Sequence, residues 1–258
     1  MKLKRPVKIL IILLGALLLL VLVVLANISR SRSTVRGIEV DIRYGRTPAL
    51  VNAQPVKDSI LAALPALLQQ QVADVDRQAV ARAAARVPYL CDVTASLSVS
   101  GKVVVRATQR RPIARLFYRN REFYMADDGH LMPSSPLVLG HSDLSLLVTG
   151  ADPTTAIDTT LGRADSPIAP LFTVARFLDS DSKYGDLIDQ VYLQSDGDLI
   201  MVPKVGNHTV ELGPAENLDA KFANLLAFYR KGMPRAGWDT YSRLSLKYDG
   251  QVVCTKRQ

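Results

Sequence analysis

The longest run of hydrophobic positions lies at residues 9–26 and contains no charged side chain. Four basic residues precede this run: Lys2, Lys4, Arg5 and Lys8. At a rise of about 1.5 Å per residue, a helix over the run would be about 27 Å long, close to the hydrocarbon thickness of a bilayer. The pattern predicts a single transmembrane helix over 9–26, preceded by a cytoplasmic tail at 1–8 and followed by a linker at 27–34.

A cleaved signal peptide is the competing interpretation, because Val24, Leu25 and Ala26 form an acceptable cleavage site. The apolar run exceeds the roughly 7–15 residues of a typical signal-peptide core, which favours an uncleaved anchor. Long domains cross membranes largely regardless of their charge, so the short basic tail is expected in the cytoplasm. We therefore expect a single-pass protein of the cytoplasmic (inner) membrane whose folded domains are periplasmic or otherwise extracytoplasmic.

Residues 35–110 predict the order strand, helix, helix, strand, strand. Positions 35–42 alternate between apolar and polar, as expected for a strand with one buried face. Pro55 begins the first helical stretch, and the second repeats apolar residues every four positions: Val75, Ala79, Ala83 and Val87. Two alternating strands follow, joined by a turn at Ser100 and Gly101. This order resembles the POTRA module, a small α/β domain of extracytoplasmic proteins; a generic α/β sandwich is the competing interpretation.

Residues 111–258 predict a mixed β domain with two helices. The first helix has the apolar stripe Ile168, Leu171, Phe172, Ala175 and Leu178. The second runs over 215–231, with Gly232 as its expected C-cap and the stripe Leu218, Phe222, Leu225, Leu226 and Tyr229. Strands are expected on both sides of Gly129, on both sides of Gly197, at 144–148 and at 209–212. A terminal hairpin is expected from strands at 241–248 and 251–256, joined at Asp249 and Gly250.

Three features in order resemble the bacterial cell-division family FtsQ, called DivIB in other lineages. Gln109-Arg110-Arg111-Pro112-Ile113-Ala114 is similar to the family's Glu-Arg-x-Pro-x-Ala junction, with glutamine in place of glutamate. The strand, Asp-x-Gly turn and strand at 122–131 follow, and the terminal hairpin is similar to the family's Leu-(Arg/Lys)-Tyr hairpin. The ordered combination carries the resemblance, because each motif alone is common.

Composition and motifs give no indication of catalysis. The net charge of +8 is dispersed rather than gathered in a basic stripe with aromatics, so nucleic-acid binding is not expected. Cys91 and Cys254 fit no metal or redox motif and are either free thiols or one long-range bridge. The histidines His130, His141 and His208 match no metal motif and are interpreted as turn or surface residues. We therefore predict no catalytic residue, no cofactor, no metal and no small-molecule substrate.

The predicted fold class is α+β: a single N-terminal transmembrane helix, a POTRA-like domain over 35–110 and an FtsQ-type β domain over 111–258. The resemblance implies a non-enzymatic divisome scaffold that helps control septal peptidoglycan synthesis, binds the bilayer through 9–26 and receives FtsB- and FtsL-like proteins. A cleaved secreted or periplasmic POTRA-β protein of envelope transport or assembly is the alternative. An anchored hydrolase would need a nucleophile and base, or a metal site, which the sequence does not clearly offer.

The terminal hairpin is the expected docking site. A strand that ends the chain often lies at a sheet edge, where a partner can add a strand. Carried over from the resemblance, the predicted partner-binding residues are Lys247, Tyr248, Gly250, Val252 and Lys256. The competing interpretation is an interior hairpin with ordinary core residues.

Overall fold

The computed structural model of the chain describes residues 14–21, 33–118, 121–134, 147–149 and 168–258. The chain divides into two compact units. The N-terminal unit comprises Met1–Arg43 and Asn52–Thr108, and the C-terminal unit comprises Tyr44–Val51 and Gln109–Gln258.

Residues 14–21 are the described part of the predicted transmembrane segment, and they are helical with exposed side chains. Residues 9–13 and 22–26 lie outside the described residues. Eight helical residues extend about 12 Å, whereas the hydrocarbon core of a bilayer is about 30 Å thick. Throughout the described ranges, no helix has both the length and the apolar character needed to cross a membrane. This finding contradicts the predicted fold class with its transmembrane helix and the predicted single-pass localisation in the inner membrane.

The N-terminal unit has the element order that its sequence pattern predicts. Its elements are β1 (Ile38–Arg43), α1 (Ala53–Ala63), short 3-10 turns at Leu67–Gln69 and Val72–Asp74, α2 (Arg77–Ala84), β2 (Leu90–Leu97) and β3 (Val103–Gln109). The sheet order is β1-β3-β2, with β1 parallel to β3. Within α2, Ala83 is buried as predicted and Ala79 is half-buried; Val75 and Val87 are buried too, but they lie outside the helix, which is shorter than the predicted stripe.

The C-terminal unit is built on a nine-stranded mixed sheet. Its strands are β4 (Pro112–Tyr118), β5 (Arg121–Ala126), β6 (Leu131–Pro133), β7 (Leu147–Thr149), β8 (Ile188–Leu193), β9 (Leu199–Pro203), β10 (Thr209–Gly213), β11 (Tyr241–Ser245) and β12 (Val253–Lys256). Its helices are α3 (Ala169–Ser180), α4 (Ser182–Gly185), α5 (Leu218–Lys231) and α6 (Met233–Ala236). The sheet order is β12-β11-β10-β9-β8-β7-β4-β5-β6, so β12 and β6 form its two edges.

The apolar stripes of α3 and α5 meet the buried sheet residues in one core. Phe222 of α5 lies at the centre of an aromatic group, 5.1 Å from Phe177 and 5.3 Å from Tyr184 between ring centroids. Gly232 is the C-cap of α5 as predicted, but its φ of −85° needs no glycine. A Cβ at this position would lie 2.6 Å from the Phe228 ring, so close packing is what requires glycine there.

Gln109 binds the segment Tyr44–Val51 within the C-terminal unit. Its side chain is buried, and its Oε1 accepts a hydrogen bond from the Leu50 N–H at 2.6 Å. Its Nε2 donates to the carbonyl of Pro48 at 2.9 Å and to the Thr47 hydroxyl at 3.1 Å. A glutamate could not make both donations when ionised, because a carboxylate only accepts. The departure from the family's glutamate therefore matches the acceptors that surround this side chain.

Arg111 joins the turn before β6 to the end of α3. Its guanidinium donates to both carboxylate oxygens of Asp179, at 2.8 and 2.7 Å, and its Nε donates to Asp127 at 3.0 Å. The hydrogen bond to Asp179 is the main reason that the pKa of Arg111 is raised. The arginine of the sequence motif thus ties the turn before β6 to a helix residue that lies 68 positions after the arginine itself.

Candidate partner-binding edge

The last strand, β12, occupies one edge of the nine-stranded sheet. It runs antiparallel to β11, with Cys254 opposite Leu244 and Thr255 opposite Arg243. On the side away from β12, β11 runs parallel to β10. Because no other strand in the described part of the chain pairs with β12, one row of its backbone N–H and C=O groups lies at the sheet edge. The terminal strand therefore has the edge position that the sequence predicts.

One backbone hydrogen bond fixes which backbone groups of β12 face outward. The Arg257 N–H donates to the Thr240 carbonyl at 2.9 Å, so it points towards β11. Backbone donors alternate sides along a strand, and the irregularity in this pair lies on β11, between Tyr241 and Arg243. The N–H groups of Thr255 and Val253 therefore face β11, whereas those of Cys254 and Lys256 point away from the sheet.

The connection between the two strands is longer than predicted. The strands end at Ser245 and begin again at Val253, so the expected strands 241–248 and 251–256 are too long by three and two residues. The Leu246 N–H instead donates to the Glu211 carbonyl on β10 at 2.8 Å. Gly250 has φ +71°, which supports the prediction of a glycine-dependent turn at this position.

The five predicted binding residues do not form one row on the edge strand. Lys247 and Tyr248 lie in the connection, Gly250 in its turn, and Val252 directly before β12. Val252 is half-buried and packs against the core. Lys256 is the last residue of β12 and is exposed, so it lies at the opposite end of the strand from the other four.

Lys247 is already engaged within the protein. Its ammonium donates to the Asp198 carboxylate, and that hydrogen bond is the main cause of a raised pKa at Lys247. Its stem passes over Gly213, where a Cβ would lie 2.9 Å from Lys247 Cγ. Tyr248, in contrast, is 55% exposed, which makes it the most accessible aromatic side chain next to the edge.

The side chains of β12 divide between the core and the surface. Cys254 is half-buried against the core, and burial raises the pKa of its thiol, which disfavours the reactive thiolate. Val253 is 42% exposed, and Thr255 and Lys256 are also exposed. Cys254 forms no disulfide bridge with Cys91 in the structure. Within the described ranges, no group of three or more His, Cys, Asp or Glu residues could hold a metal ion.

Two residues that the sequence did not indicate lie next to the end of β12. Arg257 donates through its guanidinium to the backbone carbonyls of Asn207 and Asp239, the latter at 3.3 Å. His208 is 5% exposed, and its Nε2 lies 2.8 Å from the hydroxyl of Tyr229. His208 lies in the loop between β9 and β10 but is buried, so the prediction of a surface residue is wrong for it. The available signal was Tyr229 itself, because a tyrosine in an apolar stripe needs a partner for its hydroxyl.

The other two histidines fall differently. His130 follows the turn at Gly129, and its half-exposed ring lies 3.3 Å from the Asp128 carboxylate, which confirms the prediction of a turn residue. His141 lies outside the described residues.

Comparison with known families bears on the C-terminal unit. The family model described as "FtsQ/DivIB, C-terminal related" matches residues 111–255, which is more than half of the chain. No curated protein matches the chain. The match covers eight strands of the sheet completely, β4 to β11, and most of the ninth, β12. The chain therefore belongs to the FtsQ/DivIB family and is a cell-division protein that acts with protein partners.

Proposed function

We propose that the chain is a non-enzymatic scaffold of the divisome that binds FtsB- and FtsL-like proteins and so helps control septal peptidoglycan synthesis. The observation that carries this proposal is the open edge at β12, a strand that pairs on one side with β11. A partner segment that adds a strand to this edge gains backbone hydrogen bonds without needing a pocket. Scaffolding requires binding alone, which agrees with the family match.

The partner strand is expected to bond with the backbone of Cys254 and Lys256, whose N–H groups point away from the sheet. Side chains around the edge then select the partner. Tyr248 and Lys256 are exposed enough to touch it directly. Gly250 and Val252 shape the connection that leads into β12, and Lys247 fixes that connection through Asp198. The five residues thus act in three different ways in this proposal.

The N-terminal unit is proposed to be a POTRA-like platform over residues 35–110. Its support is the order strand, helix, helix, strand, strand, together with the sheet order β1-β3-β2. A module of this kind would offer a second surface for division proteins. Its role is separable from that of the β12 edge, because each unit has its own sheet.

Two proline substitutions in β12 test the docking edge. Lys256→Pro removes an N–H that faces away from the sheet, and proline is tolerated at such edge positions. Thr255→Pro is the matched control, because it removes an N–H that faces β11 and so should weaken the fold itself. Both side chains are exposed, which keeps loss of packing small. Val252→Pro is less suitable because Val252 packs against the core.

The measurements are circular dichroism melting of the full chain and co-purification with FtsB- and FtsL-like proteins. Lys256→Pro should melt like the wild type and lose the partner, whereas Thr255→Pro should melt earlier. A Lys256→Pro protein that is folded and retains the partner at full strength would rule out strand addition at β12. In that case the search for a docking surface would move to the N-terminal unit.

A further inference from the structure

The imidazole of His208 sits in a closed site in the loop between β9 and β10. Its Nε2 faces the Tyr229 hydroxyl of α5, and its Nδ1 is buried without a hydrogen-bond partner among the described residues. The arrangement suits a neutral ring that donates from Nε2, because Nδ1 then carries no hydrogen. Burial raises the pKa of Tyr229, so its hydroxyl remains a neutral partner.

The walls of this site leave the ring little room to move. The rings of His208 and Tyr229 meet edge to face, and Trp238 packs on Tyr229 with 5.4 Å between ring centroids. Gly206 closes the remaining side, since a Cβ there would lie 2.7 Å from the imidazole and 3.2 Å from the indole. A protonated ring would therefore have to be accommodated by moving the loop rather than by turning in place.

The charged group that faces the imidazole is the guanidinium of Arg257, directly after β12. Arg257 donates to the carbonyl of Asn207, the residue before His208, and to that of Asp239. Its own N–H donates to the Thr240 carbonyl and continues the pairing of β12 with β11. The loop at Asn207 and the end of β12 are therefore held by the same residue, the loop through the side chain of Arg257 and the strand through its backbone N–H.

We propose that His208 is a pH-sensitive latch on the edge strand, whose protonation displaces the loop at Asn207, releases Arg257 and loosens the end of β12. Protonation would add an N–H at Nδ1 that has no acceptor, and it would place a second cation beside Arg257. Both effects favour the displaced loop. The effect on partner binding rests on the proposed function, because a loosened β12 is a poorer template for an added strand.

The direction of the pH dependence follows from the environment of the ring. Burial, and then the positive charge of Arg257, lower the pKa of His208 below its ordinary value of about 6.5. As the pH falls below about 6.5, the displaced state binds a proton more readily than the closed state does. The latch is therefore closed above that pH and opens progressively below it. For each unit by which the closed state lowers the pKa of His208, protonation shifts the equilibrium between the closed and displaced states about tenfold towards the displaced state.

Two measurements on the full chain test the latch without any partner. Exchange of the imidazole C2 hydrogen, followed by mass spectrometry across pH, gives the pKa of His208 directly. Backbone hydrogen exchange, corrected for the intrinsic rate at each pH, gives the protection of the amides in β12 and at Arg257. We expect a lowered His208 pKa and a loss of protection at Arg257 as the pH falls. A pKa at or above the ordinary value, or pH-independent protection at Arg257, would overturn the proposal.

Substitutions separate His208 from general acid effects. His208→Gln keeps a donor for Tyr229 but cannot titrate, so its protection at Arg257 should not depend on pH in this window. His130→Gln is the matched control, because His130 is half-exposed in a turn, and it should behave like the wild type. If His208→Gln does not fold, the pKa of His208 and the protection at Arg257 in the wild type still test the proposal. If His208→Gln folds and loses protection in acid as the wild type does, the latch is refuted.

A binding measurement between pH 8 and pH 5 then tests regulation of the edge. The affinity for the partner that docks at β12 should fall in parallel with protection at Arg257, and His208→Gln should abolish the fall. Loss of protection with unchanged affinity would refute the regulatory part. Absence of partner binding at pH 8, where the latch is closed, would instead count against the proposed function, while the latch would still be judged by protection alone.

Discussion

At residues 109–111 the side chains bind polar groups of the fold, whereas at β12 one row of backbone groups lies at the sheet edge. Gln109 donates to Pro48 and Thr47 and accepts from Leu50, all within its own unit. Arg111 adds a two-point contact with Asp179. At β12, the outward N–H groups of Cys254 and Lys256 face no strand among those described.

The two regions differ because burial changes the cost of an unpaired polar group. A buried donor or acceptor without a partner costs about 1–3 kcal/mol, whereas one exposed at a sheet edge is hydrated. The polar groups at residues 109–111, the junction, must therefore find hydrogen-bond partners within the unit for it to fold. The edge can remain open without penalty, which is what a docking strand requires. Substitutions at the junction should mainly affect stability, and those at the edge mainly binding.

The largest effect is expected from Gln109→Ala. The change removes the acceptor of the buried Leu50 N–H and the donor to the Pro48 carbonyl, and it leaves space where the side chain packed. We expect the free energy of unfolding to fall by about 2–4 kcal/mol. Chemical denaturation of the full chain measures the change.

Gln109→Glu is the matched control for this substitution. It retains the size of the side chain and the acceptor for Leu50, but it turns an oxygen towards the Pro48 carbonyl. Its loss of stability should lie between zero and that of Gln109→Ala near neutral pH. If Gln109→Ala unfolds at the same denaturant concentration as the wild type, the contrast between junction and edge fails.

A smaller effect is expected from Arg111→Lys. Lysine keeps the positive charge but cannot donate to both oxygens of Asp179 and to Asp127 at once. Because Arg111 is half-exposed, solvent screens these ion pairs, and we expect a loss of about 1 kcal/mol. Thermal melting at low and at high salt tests this, since the difference from wild type should shrink as salt rises. A difference that does not change with salt would mean that packing of the arginine stem dominates.

Apolar periodicity was sufficient to predict the helices that build the core. Leu171 of α3 and Phe222 of α5 are fully buried, as their stripes indicated. Apolar alternation did not predict the order of the strands in the sheet. In the structure β7 pairs in parallel with both β4 and β8, and β10 pairs in parallel with β11. Such pairings depend on how helices pack between distant strands, which no local alternation encodes.

The candidate site was predictable in position but not in detail. The terminal strand was expected at a sheet edge and lies there. The strand before it, however, was predicted too long, because the alternation of apolar and polar residues continues past Lys247. In the structure Lys247 turns to Asp198, which lies 49 positions earlier in the chain. His208 was misjudged for the same reason, since its burial depends on Tyr229 and Arg257 from distant elements. Long-range polar contacts of this kind leave no signature in the neighbouring sequence.

The smallest effect on stability and a large effect on binding are expected from Tyr248→Ala. The side chain is 55% exposed, and the backbone carbonyl that accepts from the Gln251 N–H is unchanged by the substitution. The free energy of unfolding should therefore change by less than about 0.5 kcal/mol. Tyrosine is a frequent anchor of interfaces, so the affinity for the partner should fall by about tenfold or more.

Tyr192→Ala provides the control for Tyr248→Ala. Tyr192 is also a partly exposed tyrosine, 37% accessible, but it lies on β8, four strands from the edge. Tyr192→Ala should bind the partner with wild-type affinity. If only Tyr248→Ala lowers the affinity, the effect comes from the position of Tyr248 and not from the loss of an exposed aromatic ring as such. If both variants bind the partner as tightly as the wild type does, Tyr248 is not part of the docking site. If Tyr248→Ala lowers the melting temperature, the connection before β12 instead supports the fold. Only retained stability together with lost binding would preserve the division between a junction that holds the unit together and an edge that is left open for a partner.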